Sequence, residues 1–466
     1  MKNIYTDNTS PDTPDDAPPS GAELREGFTT GSALTAAAVA ALRLLLRGAW
    51  PQTVSVPLPP FNAGSGDRGD CGSSGDSGDS ANAVAPSGWL DVPVAEAMRV
   101  SPSRAGGSVA LGVVIKDGGD DPDATHRARI EALVECVPEG MALPEHDAYL
   151  TGDDVPGTTD MPETPGSPCP SGSSELLLPY PCGDASPAAC PRHDGITIVL
   201  RGGTGVGRVT LPGLPVAVGE PAINPEPRRQ LAYAMHRECA TAGWHGTVRV
   251  TARVPEGERI ARHTLNPRLG IMGGISILGT RGTVRPYSHD AWQAAVAQGL
   301  DVARAAGLTE VCLSTGRRSE TLLMRAYPAL PPLAFVQAAD FAAFSLAAAA
   351  QRGFVRVAWG CFFGKLVKLA QGLPHTHAHT APLDLPMLAQ WAAEAGAGAE
   401  TCASVAVANT AGQALELLLA DPAHPAMLRA VAERARDAAR RWTGGAERVT
   451  VTVHLFHMDG RCLVTA

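Results

Sequence analysis

The segment Gly202–Arg229, GGTGVGRVTLPGLPVAVGEPAINPEPRR, carries six glycines and five prolines threaded with Val, Leu and Ile. Glycine reaches positive φ and allows close approach to the main chain, whereas proline fixes φ. Alternating the two between apolar anchors therefore specifies one ordered path. A linker would lack the anchors, so the segment reads as a binding loop held by a core.

Its opening, ITIVLRGGTGVG (Ile196–Gly207), looks like a strand running into a nucleotide-binding glycine turn. Such a turn must start a helix whose N-terminus meets phosphate, yet Pro212 and Pro215 stand where that helix would run. A nicotinamide-dependent reductase is disfavoured on this ground, and the loop is left to bind through backbone groups.

Around this loop the hydrophobic pattern separates two regimes. SALTAAAVAALRLLLR (Ser32–Arg47) is apolar nearly all round and predicts a buried helix, capped by Thr30 or Ser32. Strands are expected at Thr53–Leu58, Trp89–Val94, Ser108–Ile115, Ala128–Val134 and Ile196–Leu200. From about Glu226 strands and helices alternate: strands Thr247–Val254, Gly274–Leu278, Glu310–Ser314 and Val355–Trp359, with helices His289–Ala306, Ser319–Tyr327, Phe341–Arg352 and Phe362–Gln371. This predicts a parallel sheet with ligands at the strands' carboxyl ends. Helices Leu385–Ala395, Thr410–Leu419 and Ala426–Arg441 and a strand Val449–Phe456 complete the chain.

The fold class expected is α/β and α+β in two domains. Residues 1–20 form a disordered tail and 21–225 an α+β domain with low-complexity insertions at 61–85 and 141–192. Residues 226–380 form a Rossmann-like parallel-sheet domain, and 381–466 pack back as helices and a final strand.

A formal net charge of −9 argues against a nucleic-acid surface. The polar, acidic start and the lack of a run of about 18 apolar residues make the cytoplasm the expected address, with no membrane partner. Ten cysteines without C-x-x-C pairs suggest reduced, structural thiols. Of 38 basic residues only four are lysine, so Lys116, Lys365 and Lys368 stand out.

Several further turns carry chemistry. GFTTGSA (Gly27–Ala33) puts Thr29, Thr30 and Ser32 at a helix start, where free N–H groups suit an anion and simple capping is the plainer reading. VVIKDGGDDPDATH (Val113–His126) gathers Asp117, Asp120, Asp121 and Asp123 beside Lys116 and His126 in a spacing wrong for an EF-hand. GGISILGTRG and STGRRSE run strands into Gly/Arg turns, placing Arg281, Arg317 and Arg318 on one rim if the strands are neighbours. In GKLVKLAQGLPHTHAHT, Lys365 and Lys368 share a helix face, and His375, His377 and His379 alternate as on one strand face. With Pro374 and no companion ligand cluster, no protein-bound metal is expected, and a cobalt or corrinoid carrier built on these imidazoles is a rival reading.

Taken jointly and in order from about Glu23 to Thr380, these six phrases resemble the cobalt-precorrin-5B C1-methyltransferase family of anaerobic cobalamin biosynthesis. Ala33 stands where a small residue or Cys is expected, and both insertions are long for the pattern. The resemblance implies S-adenosylmethionine as methyl donor, a cobalt-corrinoid acceptor and possible homo-oligomers. It implies acceptor contacts at Arg228, Arg229, Arg281, Arg317, Arg318, Lys116, Lys365, Thr29, Thr30, Ser32 and His377. Donor contacts are implied at Asp117, Asp120, Asp121, Gly203, Gly205, Gly207, Glu220 and Asn224. No catalytic acid or base is singled out, since methyl transfer leans on positioning.

Overall fold

The computed structural model describes residues 24–63, 84–100, 108–141, 175–179, 195–377, 382–445 and 449–466. The 1–20 tail, most of both insertions and His379 lie outside the described residues.

The first core is built around the helix Thr30–Arg47, buried from Thr30 to Leu42 and closed by Gly48 in the left-handed conformation. It is long and apolar enough to cross a membrane, but 72% of that stretch is buried inside the protein. It lies with helix Pro225–Thr241 on one face of a six-stranded sheet. The strand order is Glu96–Val100, Ser108–Ile115, Arg129–Pro138, Gly246–Arg253, Ile196–Gly202 and Leu176–Leu178. A hairpin of Thr53–Ala63 with Val84–Pro93 packs against the same helices.

Strand Gly246–Arg253 pairs in parallel with Ile196–Gly202 and antiparallel with Arg129–Pro138. The expected boundary at residue 226 is therefore corrected. Helix Pro225–Thr241 is the crossover of a βαβ unit inside the first sheet, and the first core runs from Phe28 to Ile277 while the second begins at Val296. The expected strand Gly274–Leu278 reduces to Gly274–Ile275, which pairs with Gly205–Val206 of the glycine loop. No helix starts at that loop; the next begins at Pro225.

The second core surrounds a five-stranded sheet in the order Phe335–Gln337, Glu310–Ser314, Arg356–Phe362, Thr450–Phe456 and Cys462–Thr465, parallel except for the last strand. Alternation of side chains sorts its faces. Val311, Leu313, Val357, Trp359, Val451 and Val453 meet the helices His289–Ala305, Ala342–Gln351, Phe363–Ala370 and His424–Trp442. Cys312, Phe335, Ala358 and Phe456 meet Leu322 and Leu323 of helix Arg317–Ala326. Counted in chain order the strands run 2-1-3-4-5, so connections leave Glu310–Ser314 and Arg356–Phe362 in opposite directions. Ligand crevices form at such a point.

Candidate functional site

Strands Ser108–Ile115 and Arg129–Pro138 are joined by a turn at the carboxyl end of the parallel pair. Lys116, only 2% exposed, forms an ion pair with Asp123, whose Oδ1 accepts the Thr125 N–H and hydroxyl at 2.7 Å. Asp117 is paired with Arg25 and accepts the Gly119 N–H at 2.9 Å; the hydrogen-bonded guanidinium brings its carboxyl down to about 2. Asp120 accepts the Arg25 N–H at 2.7 Å. Asp121 accepts the Tyr287 N–H at 3.0 Å, and burial pushes its carboxyl up.

The hydroxyls expected to face an anion are engaged with the GTRG turn instead. Thr30 Oγ1 donates to Leu278 O at 3.1 Å and accepts the Leu278 N–H at 2.9 Å. Ser32 Oγ donates to Gly282 O at 2.7 Å, and Thr29 caps the helix through the Ser32 N–H at 3.2 Å. The cap is Thr29 rather than the expected Thr30 or Ser32, whose buried hydroxyls bond Leu278 and Gly282, and Gln230 Nε2 also donates to Ser32 Oγ at 3.1 Å.

The glycine loop packs just as closely. Gly205, with φ 71°, would carry a Cβ 1.8 Å from Val254 O, so a side chain there is excluded. Gly203 lies against Arg253 and Thr251, and Gly207 against Ile271. Glu220 is paired with Arg228 at 2.8 Å, and Arg228 also donates to Ile223 O at 2.6 Å. Asn224 caps helix Pro225–Thr241 by position, its N–H donating to Ile277 O at 2.9 Å. Arg229 is exposed and paired with Glu226 at 3.0 Å.

A second cluster occupies the crevice of the five-stranded sheet. Lys365 reaches Asp340 at 3.0 Å and Thr315 O at 3.4 Å. Thr376 donates its hydroxyl to Asp340 at 2.8 Å. Burial alone would push Asp340 up, but Lys365 outweighs it and holds the carboxyl below its usual range. Lys368 donates to His377 O at 2.7 Å. Residues 375–377 form no strand, which corrects the expectation of imidazoles on one strand face. His375 stacks on His289 at 5.3 Å and meets Phe341 edge-on at 4.7 Å. Among the described residues no three His, Cys, Asp or Glu side chains are grouped to hold a metal ion.

Arg317 is exposed at the first turn of its helix, and Arg318 donates to Met458 O at 3.0 Å. The strand before Arg281 is not a neighbour of Glu310–Ser314, the condition on which a shared rim rested. Its loop follows Gly274–Ile275, which pairs within the first core, and its guanidinium is with Asp290 at 2.8 Å.

Polar contacts join the clusters. Tyr287 bonds the acidic turn and His289, two residues on, stacks in the crevice. Arg268 forks onto Glu320 at 2.5 and 3.1 Å, and Gln337 donates to the same carboxylate at 2.8 Å. Among the described residues three non-glycines hold positive φ: Arg127, Tyr287 and Ala339. All three border these clusters, and each costs roughly 1–3 kcal/mol, a strain that collects at functional sites.

Sequence reading passed over Arg25, Tyr287, His289 and Asp340. Asp340 would have been found had the three-residue strand Phe335–Gln337 been recognised, because it follows that strand's carboxyl end. The arrangement offers fixed charges and rigid turns. Burial pushes the thiols of Cys136, Cys239, Cys312 and Cys361 up to about 12, so they supply no thiolate.

The chain resembles known proteins over most of its length. The CbiD family profile matches residues 17–65 and 187–286, and the profile described as CbiD, C-terminal domain matches 375–466. A protein of Nitratidesulfovibrio vulgaris named cobalt-precorrin-5B C(1)-methyltransferase is 54% identical, covering 96% of this chain and 95% of its own. Proteins of the same name from Geobacillus kaustophilus and Burkholderia mallei are 35% and 37% identical, covering 94% and 87% of this chain and 94% and 88% of their own. The crystal structure of a cobalamin biosynthesis protein (cbiD) from Archaeoglobus fulgidus aligns over 74% of this chain and 79% of its own, at 21% identity and a TM-score of 0.30. With profiles matched in both halves and a relative identical at more than half of the aligned positions, the chain belongs to the CbiD family of cobalt-precorrin-5B C(1)-methyltransferases.

Proposed function

We propose that this protein transfers a methyl group from S-adenosylmethionine to C1 of cobalt-precorrin-5B, giving cobalt-precorrin-6A in anaerobic cobalamin biosynthesis. The observation that carries the proposal is the 54% identity, spanning nearly both whole chains, with a protein of that name. The site chemistry supports it. Strained turns from two cores meet through Tyr287 and His289, which suits a reaction governed by positioning.

The donor supplies an electrophilic methyl on a sulfonium. Asp120 and Asp121, on the acidic turn, face its cationic and hydroxyl-bearing parts, with backbone groups of the glycine loop as further donor contacts. Arg317 and Arg318, at the second sheet's carboxyl end, hold acceptor carboxylates with Lys365 behind them. We read the molecule as two domains, the second Rossmann-like, acting in the cytoplasm.

The test incubates purified protein with labelled S-adenosylmethionine and cobalt-precorrin-5B. A singly methylated corrinoid by mass spectrometry is expected; its absence refutes the reading. Arg317→Glu with Arg318→Glu should weaken acceptor binding far more than donor binding, and equal loss of both removes the acceptor clamp.

A further inference from the structure

The six-stranded sheet has one face under helices, whereas on its other face a charged row runs beside the buried Val109, Leu111 and Val113. Strand register sets Glu135 beside Arg249, Thr251 between Leu133 and Arg201, and Glu131 beside Arg253, in successive rows stepping towards Gly203. Arg249 reaches Glu135 at 2.7 Å, while Arg249 and Arg201 share one oxygen of Glu175 at 3.0 and 2.8 Å. Arg129 holds Glu131 at 2.7 Å.

These pairs leave atoms over. Arg201 Nε and Nη1 and Arg253 Nε, together with Glu131 Oε2 and Glu135 Oε1, are buried without a hydrogen-bond partner. Arg253 Nε and Glu131 Oε2 stand 3.6 Å apart, too far for a hydrogen bond. Arg201, Glu131 and Glu135 are 8%, 2% and 5% exposed, so bulk water does not satisfy them. Burial also lowers the Arg201 pKa, as for a cation whose surroundings compensate it incompletely.

Buried polar atoms are nearly always paired, so such a group points to something that completes it. Unmet guanidinium donors and carboxylate oxygens on one face ask for a ligand with both an anion and a cation. An α-amino acid head group is that ligand. We propose that this face binds the amino-acid head group of a ligand, its α-carboxylate on Arg201 and its α-ammonium on Glu135. If the donor is S-adenosylmethionine, as the function proposed above holds, this is its methionyl end.

Placement agrees with that role. Arg253 and Thr251 lie directly under Gly203, so the rest of the donor extends towards the glycine loop and the acidic turn. The row also reaches the surface through Arg129 and Glu96, whose side chains are 32% and 47% exposed.

Calorimetry on the full chain tests the inference with S-adenosylhomocysteine and 5′-methylthioadenosine, which lacks the head group. Wild type should prefer the former. Arg201→Met should weaken S-adenosylhomocysteine about tenfold to a hundredfold and leave 5′-methylthioadenosine unchanged. Unchanged S-adenosylhomocysteine affinity, or equal loss of both ligands, overturns the site and assigns the orphan atoms to internal water. Should Arg201→Met fail to fold, Arg201→Lys replaces it, and hydrogen exchange on wild type decides independently. Protection of residues 196–202 and 246–253 by S-adenosylhomocysteine alone supports the site, and no protection overturns it. A wild type that shows this preference yet does not methylate the corrinoid refutes the function and keeps the site. One that methylates but binds both probes alike refutes the site and keeps the function.

Discussion

The backbone N–H of Tyr287 donates to Oδ1 of Asp121 across 3.0 Å, and Tyr287 holds a φ of 55° to do so. This bond spans 166 positions in the chain and fastens the loop between the two cores to the acidic turn of the first sheet. A non-glycine residue keeps such a conformation only where its surroundings compel it, and the bond to Asp121 is one such constraint.

Asp121→Ala should therefore release the 282–289 loop. The expected loss of global stability is about 1 kcal/mol, the worth of one hydrogen bond, with faster amide exchange confined to that loop. Asp121→Asn keeps an acceptor oxygen and should restore protection while removing the charge. Exchange rates in the loop that are equal in wild type and Asp121→Ala would refute the account.

What the sequence disclosed followed the range of the interaction. The helix Thr30–Arg47 was legible because eighteen residues of helix-forming, apolar composition decide it locally. Strand Gly246–Arg253 was legible as a strand but not as a member of the first sheet, since its partners Ile196–Gly202 and Arg129–Pro138 are remote in the chain. Phe335–Gln337, three residues long, carries too little periodicity to be seen, and Asp340 was hidden with it. The scarcity of lysine did single out residues of consequence. Lys116, Lys365 and Lys368 each reach a protein partner, Asp123, Asp340 and the His377 carbonyl, showing that rarity marked fixed cations within the fold.

The Arg25–Asp117 pair predicts a pH signature. Asp117 titrates at about 2 in the folded chain against an ordinary 3.8, so the pair's stabilisation is complete above about pH 4 and disappears as pH falls through 2. In Arg25→Met that stabilisation is absent at all pH values. The Tm difference between wild type and variant should be constant from pH 7 to about 5 and shrink between pH 4 and 2. A difference that stays constant down to pH 2 would show that Arg25 acts through packing alone.

Thiol reactivity separates the described cysteines by burial. Cys462 is exposed and Cys402 partly so, whereas Cys136, Cys239, Cys312 and Cys361 are buried with thiols raised to about 12. In a Cys462→Ser background, the fast phase with a disulfide reagent should fall by one equivalent, and the four buried thiols should react only after denaturant is added. Rapid native-state labelling of Cys361, located by peptide mapping, would contradict the packing described for the second core.

Arg268 and Glu320 bring the Asn266–Leu269 turn of the first core against the second sheet. Both guanidinium nitrogens reach the carboxylate, Arg268 also donates to Phe335 O at 2.8 Å, and Gln337 completes the acceptor side. Glu320 is 9% exposed and Arg268 26%, so removing the cation strands a nearly buried carboxylate. Arg268→Met should cost about 2–3 kcal/mol, below the range for fully buried pairs because Arg268 keeps some water. Glu320→Gln retains bonds to Gln337 and should cost less. The double variant should recover about 1–2 kcal/mol relative to the sum of the singles, since the stranded charge is gone. Urea unfolding of the four proteins measures this coupling. Strict additivity would mean that Arg268 and Glu320 act separately, leaving Tyr287 as the stronger polar tie between the cores.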